Sequence, residues 1–564
     1  MKRSISVALL SLSLAVSSYG AAGIHPNPGP DVIPAIPAAC NTPSTWPAAA
    51  ACLDAIVAEH SAIFPGAVIG FQADGQLPKV YSKGAGFANN SVVSLASVSK
   101  AFTNSALVKL VQDHYASPAC TPMTTNCVFP QKFQTPLLTA LTRVDALRGT
   151  TVVRDWFTPV KFDDPAGTQA AWRKQITIQH IAQMTSGLPP LLFSGYVFCT
   201  GTDPATCGDT TPDDVTCNLN DPDPAKAKIC RQAKLYNQYL TRVGTAIPNG
   251  CKPRPASGPR LFDFDTYYHG NVEAPYKLMR EFERRYVGSP GLTGECVFQV
   301  NQFGSSWEDG RTVPEAEVAK FYLGVPLLDQ PGTVYHYAQQ NLYIAALLIQ
   351  SLSGQRFDDY LDAKFFTPLN MTDTSFKVYP GTTQYQRLVD IKRILTTRAR
   401  TLPDLASPVQ LDTIFGTDKN WDEPRDGWTN RWSEGGGHST ATDLLRFLDF
   451  IRTGKAPNGQ VLLNAESLQL ITSGSGPVSP RTYAFNTAGP GVIGVNGYFG
   501  TMMRRNLNTC KNITVLPQIV VENSELDVQQ SDIQYGDVMH LRGALIRMLE
   551  GIPSACSAAS PFEP

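Results

Sequence analysis

The sequence predicts an α+β fold: an antiparallel sheet flanked by helices, with a helical lobe beside it. Three observations carry this. Strand-like runs lie at both ends of the chain, at 66–71 and 80–87 and again at 492–495 and 516–521. Helical patterns occupy the middle, at 176–181, 342–352 and 440–452. Strands gathered at the ends with helices between them make a sheet domain and a lobe, not alternating βαβ units. Between 191 and about 318 neither pattern persists. That stretch holds Cys199, Cys207, Cys217, Cys230, Cys251 and Cys296, half of the twelve cysteines, and reads as a disulfide-rich insertion.

The first twenty residues read as a secretory signal. Lys2 and Arg3 precede a short apolar run from Val7 to Val16, too short to span a bilayer, and the small residues Ser18 and Gly20 suit cleavage. The expected product is secreted, either extracellular or periplasmic, with no membrane span. Export puts the cysteines in an oxidising compartment, where an even count suits disulfides. Local pairs such as Cys40–Cys52, Cys120–Cys127 and Cys217–Cys230 are candidates, but spacing alone does not fix connectivity. Residues 21–50 are rich in Pro and Ala and read as a linker. The main folded domain is expected over 51–555, interrupted at about 113–170 and 191–318.

The element from 66 to 71 is apolar enough to be a buried strand. Ala73-Asp74-Gly75 supplies a hairpin-type turn, and 80–87 returns. The helix opening at Ser97-Val98-Ser99-Lys100 is apolar almost all round, through Ala101, Phe102, Ala106, Leu107, Val108, Leu110 and Val111, which places it inside the fold. Ile176 to Ile181 leads into Met184-Thr185-Ser186-Gly187-Leu188-Pro189, a helix closed by a Gly–Pro stop. A last amphipathic helix is expected over 537–550. Hydrophobic residues make up 43% of the chain, enough for a large core, and the formal net charge of −1 gives no broad attraction to nucleic acid or anionic membrane. Asn89, Asn370 and Asn512 each begin an Asn-x-Ser/Thr sequon.

Ser97 and Lys100 carry the chemistry. Residues three apart share a helix face, so hydroxyl and amine can meet. A serine hydroxyl needs a neighbouring base to act as a nucleophile. The spacing alone is weak, since roughly one Ser-x-x-Lys is expected by chance in a chain this long, and its bland reading is a helix cap followed by a surface lysine. No Gly-x-Ser-x-Gly elbow is present, which argues against an α/β-hydrolase. His438, after three glycines, is a weaker candidate.

Further blocks give Ser97 a context. They are Ser91–Asp113, Ile176–Pro189, Pro331-Gly332-Thr333-Val334-Tyr335-His336-Tyr337, Ser353-Gly354-Gln355-Arg356-Phe357, and Gly435-Gly436-Gly437-His438-Ser439-Thr440-Ala441 with Asp443. Asn458-Gly459 with Leu462-Leu463 and Glu466-Ser467 continues the order. In this order the chain resembles the serine β-lactamase-like hydrolases of the class C type: class C β-lactamases, D,D-peptidases, D-aminopeptidases and β-lactamase-like carboxylesterases.

The resemblance implies a β-lactamase/transpeptidase-like fold and an acyl-enzyme mechanism without metal or organic cofactor. Ser97 would be the nucleophile, Lys100 would assist its deprotonation, and Tyr337 would share the proton work. The backbone N–H of Ser97 and one near Tyr498 would form the oxyanion hole. The substrate would be a small or short oligomeric ester or amide. Two departures stand out. Tyr337-Ala338-Gln339 carries Gln where the family has Asn. Val495-Asn496-Gly497 carries Val where the family has a basic or polar residue, with Arg504 and Arg505 downstream as the nearest cations to replace it. Arg452-Thr453-Gly454 reads as a helix end instead. An apolar position here predicts a preference for neutral esters. Two alternatives stand beside that reading: a β-lactamase or D,D-peptidase, and a catalytically inactive extracellular binding protein on the same fold.

Overall fold

The structure is a computed structural model that describes residues 37–40, 43–59, 66–74, 76–115, 133–141, 164–188, 220, 222, 326–338, 340–377, 382–389, 392–395, 432–473, 478–497, 500–522 and 541–554. In chain order the elements begin with α1 (Trp46–Glu59), β1 (Ala67–Ala73), β2 (Lys79–Lys83), β3 (Val93–Ser94), a 3₁₀ turn (Ala96–Val98), α2 (Ser99–Tyr115), α3 (Thr168–Gln175) and α4 (Ile178–Ala182). There follow α5 (Gln340–Ser353), α6 (Phe357–Leu361) running into a π turn (Asp362–Phe366), α7 (Thr383–Gln386), β4 (Lys392–Leu395), α8 (Trp432–Gly435), β5 (His438–Ser439), α9 (Ala441–Thr453) and α10 (Ala465–Ser473). Strands β6 (Asn486–Gly489), β7 (Val492–Asn496), β8 (Met502–Asn506), β9 (Lys511–Leu516) and β10 (Ile519–Glu522) come next. A last helix, α11, spans 541–550.

Six strands form an antiparallel sheet in the order β2-β1-β9-β8-β7-β6. The N-terminal and C-terminal parts of the chain meet at its centre, with Val68 opposite Leu516 and Gly70 opposite Thr514. Successive strand side chains face opposite ways, and both faces are covered. Ala67, Ile69, Phe71 and Ala73 enter a core with Leu53 and Ile56 of α1 and Leu541 and Leu545 of α11. Val68, Ile493, Val495 and Met503 enter a larger core with α2, α5 and α9. The double covering explains why residues 67–71 of β1 read as one unbroken apolar run.

Helix α2 is the axis of the larger core, as its all-round apolarity predicts. Phe102 stands edge-on to Phe447 of α9, ring centroids 4.6 Å apart, and to Phe366 of the π turn at 5.3 Å. Two of its buried polar residues are bonded across to neighbours: Thr103 donates to the Ser433 carbonyl at 2.5 Å and Asn104 to the Ala182 carbonyl at 3.2 Å. These bonds offset the cost of burying polar groups in an apolar setting.

Several boundaries differ from the sequence expectation. Helix α1 begins at Trp46, inside the stretch read as linker. Pro47 sits in the first turn, where its missing N–H costs nothing. Ala49, Leu53, Ile56 and Val57 recur at helical spacing and are buried. Cys52 on this helix is bonded to Cys40, as the local spacing allowed. Cys510 is also disulfide-bonded, whereas Cys120–Cys127 and Cys217–Cys230 lie outside the described residues. So does the 191–318 insertion except for Asn220 and Pro222. Within the smaller insertion, Phe133, Leu137, Ala140 and Leu141 are buried in the larger core, so this segment completes the lobe. The run 516–521 is two strands, broken at Pro517-Gln518, and β10 leaves the main sheet to pair in parallel with β4. Arg452 and Thr453 do end a helix, closed by Gly454. The Asn512 sequon is sealed: its side chain is buried on β9 and accepts from Arg505 at 2.7 Å.

Candidate active site

Three residues, one of them far from the others in sequence, converge on one oxygen. Lys100 Nζ donates to Ser97 Oγ at 2.8 Å, and the Tyr337 hydroxyl donates to the same oxygen at 2.7 Å. Lys100 also stands 5.2 Å from the centroid of the Tyr337 ring. The Lys100 side chain is fully buried, while Ser97 and Tyr337 are partly open. A hydroxyl flanked by an amine and a phenol, with one side open, is an arrangement that can lose and regain a proton while bonding to a carbonyl carbon.

Ser97 does not sit on the α-helix itself but on the 3₁₀ turn that feeds it. The residue before it, Ala96, has φ of 46°, left-handed backbone that a non-glycine residue rarely adopts. Such a residue costs about 1–3 kcal/mol and persists only where its surroundings impose it. Here they do. The Leu95 N–H goes to the Gly437 carbonyl at 2.9 Å, and the Leu95 carbonyl accepts from Val98 N–H and from Thr501 Oγ1, each at 3.1 Å. The Gly437 N–H donates to Ser99 Oγ at 3.0 Å. This contact accounts for the last glycine of the block at 435–437: a Cβ on Gly437 would lie 2.8 Å from Ser99 Oγ.

Tyr337 lies just before α5, and the Met184–Gly187 block positions it. His336 N–H bonds to the Met184 carbonyl at 3.0 Å, Gly332 N–H to the Thr185 carbonyl at 2.7 Å, and Leu328 N–H to the Gly187 carbonyl at 2.7 Å. Ser186 Oγ donates to Asn341 Oδ1 at 2.6 Å, which fixes the first turn of α5. His336 Nε2 also meets Asp329 Oδ2 at 2.7 Å. The nearby Tyr335 plays a different part. Burial pushes its phenol up to about 12, against the pull of Arg481, so it stays neutral.

The end of β7 closes against the nucleophile turn. A Cβ on Gly497 would meet Thr501 Oγ1 at 2.0 Å and the Leu95 carbonyl at 2.4 Å, so only glycine lets strand and turn approach this closely. The Gly497 N–H goes to the Thr501 carbonyl at 2.7 Å. Asn496 is exposed, while Val495 is 2% exposed and faces the larger core opposite Met503. Neither downstream arginine supplies the missing charge. Arg504 NH2 is 3.0 Å from Glu550 Oε1, and Arg505 NH2 is 3.0 Å from Asp74 Oδ1. Gln339 and Tyr498 lie outside the described residues. His438 is buried on β5, opposite Ser94, with its Nδ1 3.1 Å from the Gly436 carbonyl. The structure does not bring its ring to Ser97 Oγ. Sequence reading missed Thr501 and the Ser186–Asn341 pair, since single polar residues far from their partners leave no periodic signal.

Residues 298–524 match the family model Beta-lactamase, a stretch that includes Tyr337, Val495–Gly497 and Thr501 but not Ser97 or Lys100. Among solved structures, the chain is similar to EstCE1, a hydrolase with promiscuous acyltransferase activity, at 14% identity and a TM-score of 0.43, covering 87% of this chain and 97% of that one. It is similar to the D-amino acid amidase of Ochrobactrum anthropi SV3 in its complex with L-phenylalanine at 13% identity and a TM-score of 0.43, covering 88% and 97%. It is also similar to a mutant of simvastatin synthase from Aspergillus terreus at 13% identity and a TM-score of 0.43, covering 87% and 95%. With its antiparallel sheet, covering helices and matched stretch, the chain carries a Beta-lactamase domain over residues 298–524 in a β-lactamase/transpeptidase-like fold.

Proposed function

We propose that the protein is a secreted serine hydrolase that cleaves neutral esters through an acyl-enzyme on Ser97. The observation that carries this is the convergence of Lys100 Nζ and the Tyr337 hydroxyl on Ser97 Oγ, at 2.8 and 2.7 Å. Whichever of the two is in its basic form takes the Oγ proton as Oγ bonds to the ester carbonyl carbon. The proton then passes to the departing alkoxide as the ester C–O bond breaks. Water attacks the acyl-enzyme, gives up a proton by the reverse route, and the acid leaves with Ser97 restored. The Ser97 backbone N–H, with a second from the strand end near Tyr498, would hold the developing oxyanion.

Substrate preference follows from Val495. A hydrogen bond to a charged group is worth about 1.5–3 kcal/mol, and valine offers none. With Arg504 and Arg505 engaged by Glu550 and Asp74, a substrate carboxylate at this strand loses about one to two orders of magnitude, while a neutral ester loses nothing. The second reading, turnover of β-lactams or D-Ala-D-Ala peptides, draws on the description of the matched family model. One comparison decides between them. p-Nitrophenyl butyrate should be turned over efficiently and nitrocefin poorly, with a fluorophosphonate labelling Ser97. The reverse preference supports the second reading. Failure of any probe to label Ser97 supports an inactive binding protein.

The 1–20 signal carries the proposal of export. Its cleavage would show as a mature N-terminus after Gly20 in the secreted fraction. Among the described residues no helix is long and apolar enough to cross a membrane.

A further inference from the structure

We infer that Gln518 is a positioning residue for the Ser97 nucleophile: its side-chain amide closes the open edge of the strand that leads into the nucleophile turn. The inference rests on the reading of Ser97 as the acylated residue.

Strand β3 pairs with β5, with Val93 opposite Ser439 and Ser94 opposite His438; on the other side Val92 bridges Leu388, and among the described residues no backbone group reaches Ser94 there. The Leu95 N–H points to β5, where it meets the Gly437 carbonyl. In a strand, consecutive backbone groups turn to alternate sides. The N–H and C=O of Ser94, one residue earlier, therefore face away from β5, where a further strand would take them. The Gln518 side chain takes them instead. Its Oε1 accepts from Ser94 N–H at 3.1 Å and its Nε2 donates to the Ser94 carbonyl at 2.8 Å. One amide carries one acceptor and one donor pair, so a single side chain satisfies both groups.

Gln518 is itself held rigidly. It is fully buried and lies between β9, in the interior of the six-stranded sheet, and β10, which pairs with β4. Its φ of 50° is left-handed, so the chain turns sharply there. A buried glutamine could occupy such a place simply to satisfy itself. Its partner argues otherwise: Ser94 is three residues from Ser97, and the strained Ala96 stands between them. Thr501 holds the next carbonyl, that of Leu95, at 3.1 Å. Two side chains from the C-terminal strands thus grip consecutive residues ahead of a strained one. Releasing Ser94 would let the turn relax and move Oγ away from Lys100 and Tyr337.

The test is Gln518→Met, which keeps the length of the side chain and removes both bonds. Ser97 labelling by an alkyl fluorophosphonate and turnover of p-nitrophenyl butyrate are measured per folded molecule, with thermal unfolding in parallel. Labelling rate and kcat should fall about 10- to 100-fold, as for a misplacement near 1 Å, while KM stays within about twofold. A residue that merely filled space would lower Tm and leave kcat per folded molecule unchanged, and that result overturns the inference. If Gln518→Met does not fold, Gln518→Asn decides. It keeps a buried amide but shortens its reach to the Ser94 N–H and carbonyl, so kcat should fall in the same way, and a wild-type rate there overturns the inference. Absence of labelling in the wild-type protein instead overturns the functional reading, and the inference falls with it.

Discussion

Two buried polar clusters lie on the same face of the sheet, and they are built on opposite principles. At one, Lys100 meets the Ser97 hydroxyl and the Tyr337 ring, with Ser97 partly open to solvent. At the other, Arg505 meets Asp74, whose side chain is fully buried, and donates to Asn512 at 2.7 Å, with Arg452 of α9 3.7 Å from the same carboxylate. With Asp449 closing on Arg452 at 3.2 Å, the second cluster is a neutralised knot that ties β8 and β9 to the β1–β2 turn and to α9. The first sets the Lys100 amine against the Ser97 hydroxyl and the Tyr337 ring. A guanidinium bound to a carboxylate ties segments together; an amine against a hydroxyl is the arrangement the proposed chemistry calls for.

The sharpest way to break this contrast is to remove one group from each cluster. Ser97→Ala should abolish ester hydrolysis, on the order of 10⁶ in turnover by analogy with other cooperative sites, with unfolding unchanged. Lys100→Ala and Tyr337→Phe should each be severely impaired in the same assay. Any of the three retaining more than about a tenth of wild-type activity would remove the first cluster from the chemistry.

Asp74→Ala should do the reverse. Stranding Arg505 in a buried site costs about 3–5 kcal/mol, readable in urea unfolding, with kcat per folded molecule unchanged. Should kcat collapse while stability holds, the two clusters are one system and the contrast is false. Val495→His refines the first cluster. It should raise kcat/KM for anionic substrates by about 10- to 100-fold relative to p-nitrophenyl butyrate, and lower Tm, because the imidazole enters the larger core beside Ile493 and Met503. An unchanged substrate ratio would show that position 495 does not set charge preference.

The smallest effect concerns the scaffold of Tyr337. His180 caps α4, accepting from Thr177 N–H at 3.2 Å through Nδ1. Burial lowers its pKa below the ordinary 6.5, partly opposed by a bond to the Gln175 backbone. The unfolded chain therefore binds more protons than the folded one below about pH 6.5, so this contribution is present above that pH and lost as pH falls. Wild-type Tm should drop more steeply than that of His180→Gln between about pH 7 and pH 5. Parallel slopes would show that His180 titrates alike in both states.

What the sequence disclosed depended on range. Ser97 and Lys100 were legible because helical spacing is local, and α2 because its apolarity goes all round. Tyr337 was legible only through the ordered blocks; as a lone aromatic it resembles any core tyrosine. Strand β8 was hidden by Arg504 and Arg505, whose charges are matched by Glu550 and Asp74 from distant segments. The break between β9 and β10 did carry a signal, Pro517, which an interior strand rarely tolerates. Helix α1 was masked by the prolines around it, although its alanines favour helix. Nothing local marks Gln518, whose partner lies 424 positions away.

That distance also sets an order in time. Ribosomes make chains from the N-terminus, so Ser97 and Lys100 are synthesised long before β9 and Gln518 exist. Until then β1 has β2 but not β9 beside it, Ser94 lacks its amide clasp, and of the contacts that hold the left-handed turn at Ala96 only those from Gly437 and Thr501 have been made. The nascent chain carries a serine and a lysine at the right spacing without a reactive centre. The full set of contacts around the turn arrives only with the last strands, so a chain cut short before Gln518 lacks the clasp on Ser94.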